Sequence, residues 1–353
     1  MISPTQIRPV LVFDIGGTTF RSALAMPDGT LARRSARPAI GFRQHPGWSP
    51  DRLQTDLVAW LCTEAARLDH AAEGLPAAVS MGAALNGNSG YVFDSGPLWG
   101  VTEGGFDLPG VLRARDPGRS WIVVNDVTAA LLRYAHELLP ERARRADPGR
   151  MALITVSSGI AARVFDFVRG RLPVDPEFGL QGEIGHLAVR CTFESLPVHL
   201  ACECGGADHL NAFASGRGLA ALLEHLAAHA EDFGASDLAR GARDAPALLG
   251  AAAAGDDLAR RVLAAGLRPL AEVLVGMLTH DPELDPIVLV GGVALSPGGA
   301  FLDVLCAELD RLGLYQVTER DPTYFRRRLR LGREDDDSGL IGCARLARGE
   351  VGR

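Results

Sequence analysis

Two stretches of this chain hold residue types that could do chemistry together. Gly182-Glu183-Ile184-Gly185-His186 sets a carboxylate beside an imidazole, and soft metal ligands follow in Cys202-Glu203-Cys204-Gly205 and His209. Zinc favours four tetrahedral nitrogen and sulfur ligands, so His186, Cys202, Cys204 and His209 form a candidate structural site, with Cys191 and His199 in reserve. If one ring nitrogen of His186 binds metal, the other is left as a donor of defined tautomer facing a pocket. The competing account makes the cysteines reduced core residues and His209 a surface residue. A Cys-x-Cys pair in a glycine-rich segment argues against it.

A second kind of chemistry is written near the N-terminus. The apolar run Arg8 to Phe13 leads into Asp14-Ile15-Gly16-Gly17-Thr18-Thr19, and Phe20 to Met26 reads as the returning strand. A glycine turn with little side-chain bulk lets backbone N–H groups approach a phosphate closely. Asp14 at the strand end would hold a hydrated magnesium ion beside it; the same residues also fit a plain hairpin turn. Met151 to Val156, Ser157-Ser158-Gly159 and Ala161 to Val168 repeat this arrangement. The chain thus reads as two versions of one α/β unit sharing a cleft.

The positioning elements follow from periodicity. Leu53, Leu57, Leu61 and Ala65 recur at helical spacing between Asp51 and Ala66. Ala77 to Ala84 is a buried strand, and Leu85-Asn86-Gly87-Asn88-Ser89-Gly90 opens a long irregular segment read as one wall of a ligand cleft, with Asn86 as a substrate contact. Trp121 to Val124 is a strand ended by Asn125-Asp126, where ligands bind in open α/β sheets. Asp126 equally suits the N-cap of the helix from Val127 to Leu138. Glu141 to Arg150 is read as the interdomain linker, Gly218 to His280 as helices, with Pro269 kinking or dividing the last. Ile287 to Val290 runs into Gly291-Gly292, where a flat adenine ring could lie on bare backbone; a tight strand-to-helix turn fits those two residues as well. Arg326-Arg327-Arg328 and Asp335-Asp336-Asp337 read as solvated charge runs on a strand and a loop, and Gly339 to Leu346 as a terminal helix.

Composition limits the partners. With 353 residues, two domains are expected. The net charge of −7 argues against a general nucleic-acid or anionic-membrane binder. No segment reads as an uninterrupted membrane span or a signal peptide, so a cytoplasmic protein with a small-molecule partner is expected. Six cysteines in such a chain do not make a disulfide framework; Cys62, Cys306 and Cys343 sit in apolar helical contexts as packed thiols.

Taken in order, Asp14-Ile15-Gly16-Gly17-Thr18, Asn125-Asp126, Gly182 to His186, Cys202-x-Cys204-Gly205 and Gly291-Gly292 resemble the ROK family of sugar kinases over nearly the whole chain. The resemblance implies an α/β fold of two duplicated actin-like, RNase H-like domains around a central nucleotide and sugar cleft. The domains would be residues 1–140, with the C-terminal helix 339–353 packing back on them, and residues 150–338, with a zinc-binding insertion. It also implies ATP as phosphoryl donor, magnesium, structural zinc and a homodimer. Asp126 becomes the general base, and Asn125, Glu183 and His186 hold ring hydroxyls. Gly16, Gly17, Thr18, Thr19, Ser157, Ser158, Gly159, Gly291 and Gly292 surround the nucleotide, and Asp14 serves the metal.

The chain departs from that family at several positions. His209 replaces a zinc cysteine, and Asn211 replaces a glutamate that touches the sugar, exchanging an anionic acceptor for an amide that also donates. The second turn lacks the usual Gly-Thr-Gly and is followed by Ala161-Ala162-Arg163, and Thr19 stands where lysine is common. These changes leave a kinase and put glucose specificity in doubt, so a C7 cyclitol of the valiolone type fits as well as a hexose or aminosugar. The alternative is a sugar-binding regulator without kinase activity; the thirteen residues before Asp14 and the negative charge count against DNA binding.

Overall fold

The computed structural model describes residues 8–352 apart from residues 72, 101, 103, 147, 230–237, 239–240, 242 and 336. The chain divides into two compact units, Met1–Pro148 with Arg163–Gln181 and Asp335–Arg353, and Gly149–Ala162 with Gly182–Glu334. Arg163–Gln181, assigned from sequence to the second domain, therefore groups with the first unit.

Unit 1 is built on strands β1 (Val10–Ile15), β2 (Thr19–Ala25), β3 (Leu31–Pro38), β4 (Ala77–Met81) and β7 (Trp121–Asn125), in the order β3-β2-β1-β4-β7. β1 and β2 form an antiparallel hairpin, while β4 and β7 run parallel to β1. A short ribbon, β5 (Ala84–Leu85) and β6 (Val92–Asp94), leads to helices α2 (Gly96–Trp99) and α3 (Leu108–Arg115). α1 (Pro50–Leu68) buries Leu53, Leu57, Leu61 and Ala65, the face its spacing predicts. Phe13 lies at the centre, edge-on to Trp60 and stacked on Trp121, both at 5.9 Å. β3 escaped the sequence reading because it is a polar edge strand; its exposed arginines discourage pairing with another chain.

α4 (Asp126–Arg142) runs farther than expected, past Pro140, into the segment read as linker. Arg142 there is buried, a packing role that a charged linker would not give it. The last helix of the chain, Ser338–Ala347, packs on α4, β1 and β4.

Unit 2 repeats the plan. β8 (Arg150–Val156), β9 (Ile160–Asp166, of which the residues up to Ala162 fall in this unit), β12 (Leu284–Val290) and β13 (Leu329–Leu331) give the order β13-β12-β8-β9, with β12 and β13 parallel to β8. β10 (Cys191–Phe193) and β11 (Leu196–Val198) form a small hairpin. The helices are α5 (Asn211–Ala214), α6 (Gly216–His229), α7 (Ala245–Ala253), α8 (Asp257–His280), α9 (Ala300–Leu312) and α10 (Tyr324–Arg328), and the terminal helix of unit 1 is α11. Arg326 to Arg328 thus lie on a helix and not on a strand.

α8 bears on two expectations. Among the described residues it is the one helix long and apolar enough to cross a membrane by length and composition, although half of its most apolar window is buried in the fold. It also continues through Pro269 without dividing. Proline leaves the carbonyl four residues earlier without its helical donor. That carbonyl belongs to Ala265, and the Cys191 thiol donates to it at 3.5 Å. Burial pushes the Cys191 thiol up to about 12, which keeps its proton in place as a donor.

Candidate functional site

In unit 1 the carboxyl ends of β1 and β4 and the amino end of the antiparallel β2 place a row of polar residues. Asp14 lies directly across from Arg21 on β2 and Ser80 on β4. The Ser80 hydroxyl donates to Asp14 Oδ1 at 2.8 Å, and Arg21 Nη1 donates to Oδ2 at 3.2 Å. The first turn of α11 abuts the row: a Cβ on Gly339 would stand 2.6 Å from Asp14 Oδ1 and 2.9 Å from Ser80 Oγ. The turn after β1 is closed by Gly16 N–H donating to Thr19 O at 3.1 Å, and Thr18 O accepts from Ala39 N–H at 2.9 Å. Gly17 must be glycine, because a Cβ there would come within 2.8 Å of Pro97 Cβ.

At the end of β7 the two adjacent polar residues divide their duties. Asn125 is the N-cap of α4: its Oδ1 accepts from Val127 N–H at 2.9 Å and Thr128 N–H at 3.2 Å, while Nδ2 donates to Ala83 O at 2.9 Å. Asp126 is the first helical residue and is exposed; its Oδ1 also meets Val127 N–H, at 2.9 Å. The ambiguity left by the sequence is thereby resolved locally, since Asn125 does the capping.

Asn86 folds its own loop. Its Oδ1 accepts from Asn88 N–H and Ser89 N–H, and its Nδ2 donates to Glu177 O at 3.2 Å. Gly87 N–H reaches Gly179 O at 2.9 Å, so the loop docks on the Asp175 to Leu180 segment. A small cavity beside it is lined by Leu85, Val124, Asn125, Thr128 and Arg163, whose buried guanidinium donates to Gln181 O.

In unit 2 the turn Ser157-Ser158-Gly159 is closed by Ser157 N–H to Gly159 O at 2.9 Å. Asn211 Oδ1 accepts from Ile160 N–H at 2.7 Å, so this amide holds the start of β9. Arg217 Nε donates to Ser158 O at 3.1 Å and pairs with Glu203 at 2.7 Å. Gly291 has φ +96°, and a Cβ there would lie 2.5 Å from Val156 O. Gly292 faces open space, leaving the strand end flat.

The glycines of Gly182 to His186 exist for packing. Gly182 has φ +66° and sits against Ala162 O, while a side chain on Gly185 would strike Ile160 O and Asn211 Oδ1. Close docking on β9 turns Ile184–His186 into one 3₁₀ turn and leaves His186 exposed and Glu183 half-buried. His186, Cys202, Cys204 and His209 bring one ligand atom each to within 4.8 Å of one another. The two imidazoles stand at 86° with centroids 5.7 Å apart, and Cys204 Sγ is 3.2 Å from His209 Nδ1. Neighbouring ligands of a tetrahedral zinc stand roughly 3.3–3.8 Å apart, so this N₂S₂ set fits zinc with small adjustments. The reserves are committed elsewhere: His199 pairs with Asp208 at 2.8 Å, which holds that carboxyl below its ordinary value, and Cys191 faces Ala265 O.

The model of the ROK family matches residues 11–350. The chain belongs to the ROK family. This ROK chain is 38% identical over 350 residues to the 2-epi-5-epi-valiolone 7-kinase of Actinoplanes sp., spanning 97% of itself and 94% of that protein. It is 36% identical over 354 residues to a C(7)-cyclitol 7-kinase of Streptomyces hygroscopicus subsp. limoneus, covering 97% and 95%. Among solved structures, the ROK hexokinase from Thermus thermophilus superposes with a TM-score of 0.65 at 25% identity, over 95% of this chain and 96% of that one. The duplicated α/β architecture is that of this family. Arg21, Ser80 and Gly339 went unnoticed in the sequence; the strand alternation that puts Arg21 on the face of Thr19 was the available signal for the first of them.

Proposed function

We propose that this ROK kinase phosphorylates a hydroxyl of a C7 cyclitol with ATP, Asp126 acting as general base. The chain is a sugar or cyclitol kinase by kinship; the residue roles and the acceptor are the proposal. The observation that carries it is the exposed Asp126 carboxylate beside a neighbour that has taken over the capping of α4. The acceptor choice is supported by identity over nearly the whole chain to two cyclitol 7-kinases.

In the proposed reaction Asp126 accepts the proton of the acceptor hydroxyl as its oxygen bonds to the γ-phosphorus and the bond to the departing ADP oxygen breaks. An alcohol hydroxyl is almost wholly protonated at neutral pH and needs such a base to attack. Phosphoryl transfer otherwise depends on positioning and charge neutralisation. The turns Gly16 to Thr19 and Ser157 to Gly159 spend the Gly16 and Ser157 N–H groups on their own closure and are proposed to offer their other backbone N–H groups to phosphates, with Gly291-Gly292 a flat surface for the base. Asp14, an anionic oxygen at the root of the first turn, suits magnesium, which there would offset phosphate charge. Zinc on His186, Cys202, Cys204 and His209 would fix the loop and with it the His186 ring. Glu183 and His186 are proposed to meet acceptor hydroxyls. Asn86, Asn125 and Asn211 are proposed to shape the acceptor site, because each spends its amide oxygen on backbone N–H groups. The reading extends to a cytoplasmic homodimer, which the family resemblance favours.

The test is ADP release from magnesium ATP with hexoses, N-acetylated aminosugars, inositols and C7 cyclitols as acceptors. Turnover on a C7 cyclitol with kcat/KM well above that on glucose is expected. Strong preference for glucose would sink the cyclitol assignment. Acceptor binding without turnover on any compound would sink the kinase reading and favour a binding protein.

A further inference from the structure

We infer that Arg133 is a positioning residue of this kinase: through Asp335 and Ser338 it clamps the first turn of α11 against Asp14, and so sets how readily the magnesium nucleotide is held. The inference rests on the kinase reading above and on Asp14 as its metal-side carboxylate. It starts from a buried cation. Arg133 lies in the middle of α4 and is 5% exposed, and taking a guanidinium out of water is costly unless its donors are paired. Nη1 and Nη2 each meet one oxygen of Asp335, the second at 2.9 Å. Nη1 also donates to Ser338 Oγ at 3.0 Å, and Nε reaches Glu137 Oε1 at 3.3 Å. Asp335 and Ser338 both stand where the chain enters α11.

α11 has little of its own to hold that turn. The first N–H groups of a helix need acceptors from outside its ladder, and the N-cap, Asp337, makes no side-chain bond to the turn. The Asp335 carboxylate takes the Asp337 N–H at 3.2 Å while it pairs with Arg133, and Arg34 of β3 pairs with the Asp337 side chain. Ion pairs from other elements therefore fasten this helix end, and the Arg133 fork is the buried one.

The turn so fastened has no slack. Gly339 follows Ser338 directly, and a Cβ on it would stand 2.6 Å from Asp14 Oδ1 and 2.9 Å from Ser80 Oγ. Farther along α11, a Cβ on Gly342 would collide with Ala129 O of α4. Ala129 and Arg133 are four apart on α4, as Ser338 and Gly342 are on α11, so the bare-backbone contact and the ion pair lie one turn apart on a single seam. The glycines let α11 approach; Arg133 keeps its first turn there. A misplacement of about 1 Å in a group that positions reactants can cost about 10²-fold in rate. Losing the clamp leaves the glycine seam, so the shift and its cost are smaller.

The experiment measures kcat, the magnesium concentration giving half of it at saturating ATP and acceptor, KM for the acceptor, and the melting midpoint. Arg133→Met keeps the length of the side chain without its fork. It should raise the half-saturating magnesium about fivefold and lower kcat about tenfold, a part of the full misplacement cost, with acceptor KM within about twofold. Arg133→Lys keeps the charge without the bidentate geometry and should fall between. Asp335→Asn, at an exposed position, carries the test if Arg133→Met does not fold; it should move the same two quantities in the same direction by less, because Ser338 still accepts. Arg133→Met combined with Asp335→Asn should be no worse than Arg133→Met alone, since both remove one tie. A purely structural role would lower the melting midpoint and leave the magnesium requirement of the folded protein unchanged. That result in both single variants would overturn the inference, as would an equal rise in acceptor KM. Asp14→Asn with the wild-type magnesium requirement would overturn it at the Asp14 reading, and wild-type protein that turns over no acceptor at the kinase reading.

Discussion

Asn125 and Asp126 are neighbours, and the structure gives them separable costs. Asn125→Ala removes the cap of α4, worth about 1 kcal/mol, and also the bond from Nδ2 to Ala83 O, worth about 1 kcal/mol more. The variant should unfold about 2 kcal/mol more easily. Asp126→Asn keeps the shape and loses only a carboxylate in the first helical turn, a change of about 0.5 kcal/mol. Its effect on turnover should be the reverse in size, a fall in kcat of about 10²–10⁴-fold, or about 3–5 kcal/mol of barrier. Urea unfolding followed by circular dichroism gives the first pair of numbers, and coupled ADP release under saturating substrates gives the second. The reasoning fails if Asp126→Asn stays within tenfold of wild-type kcat, or if the two variants are equally destabilised. Either outcome would mean that capping and chemistry are not divided between these residues.

Three further outcomes are expected. Cys191→Val keeps the volume but removes the donor to Ala265 O, so unfolding should become easier by about 1–3 kcal/mol with kcat unchanged, as read by urea titration and the kinase assay. Native mass spectrometry should find one zinc per chain in metal-replete protein and none in Cys204→Ser, while chelation should lower the melting midpoint; a zinc-free wild type would refute the site. Hydrogen bonds from Arg67 and then Ser22 hold the Glu64 carboxyl below its ordinary value. A depressed carboxyl adds stability above its unfolded value of about 4.3 and loses it as pH falls through the folded one. Glu64→Gln should therefore show a shallower decline of stability with acid below about pH 4.3, measured by unfolding titrations at stepped pH.

How much of this was legible depends on where each interaction partner sits. Strand, glycine turn, strand can be read at Asp14 and Ser157 because the pattern is local. The grouping of His186, Cys202, Cys204 and His209 could be named from types and spacing for the same reason. The amides of Asn86, Asn125 and Asn211 reach Glu177, Ala83 and Ile160, each more than forty residues away and invisible in the sequence, whereas the bonds from Asn88 and Ser89 to Asn86 and from Val127 and Thr128 to Asn125 are local. Pro269 was expected to kink or divide its helix, which runs through it undivided, and the thiol that meets the freed carbonyl comes from a hairpin more than seventy residues earlier. Asp335 is exposed, as a solvated charge should be, and it also pairs with the buried Arg133 of α4, with Nη2 to Oδ2 at 2.9 Å. Asp336 falls outside the described residues. Long-range polar pairing leaves no period in the sequence, so only folding reveals it.

The thiol that mends α8 also gives the molecule a clock. Cys191 is 4% exposed and holds its proton far above neutral pH, so an alkylating reagent can reach it only when β10 leaves the helix. Each labelled Cys191 would then count one opening of that joint, and a rate followed over hours would time the loosening of unit 2 without any introduced probe.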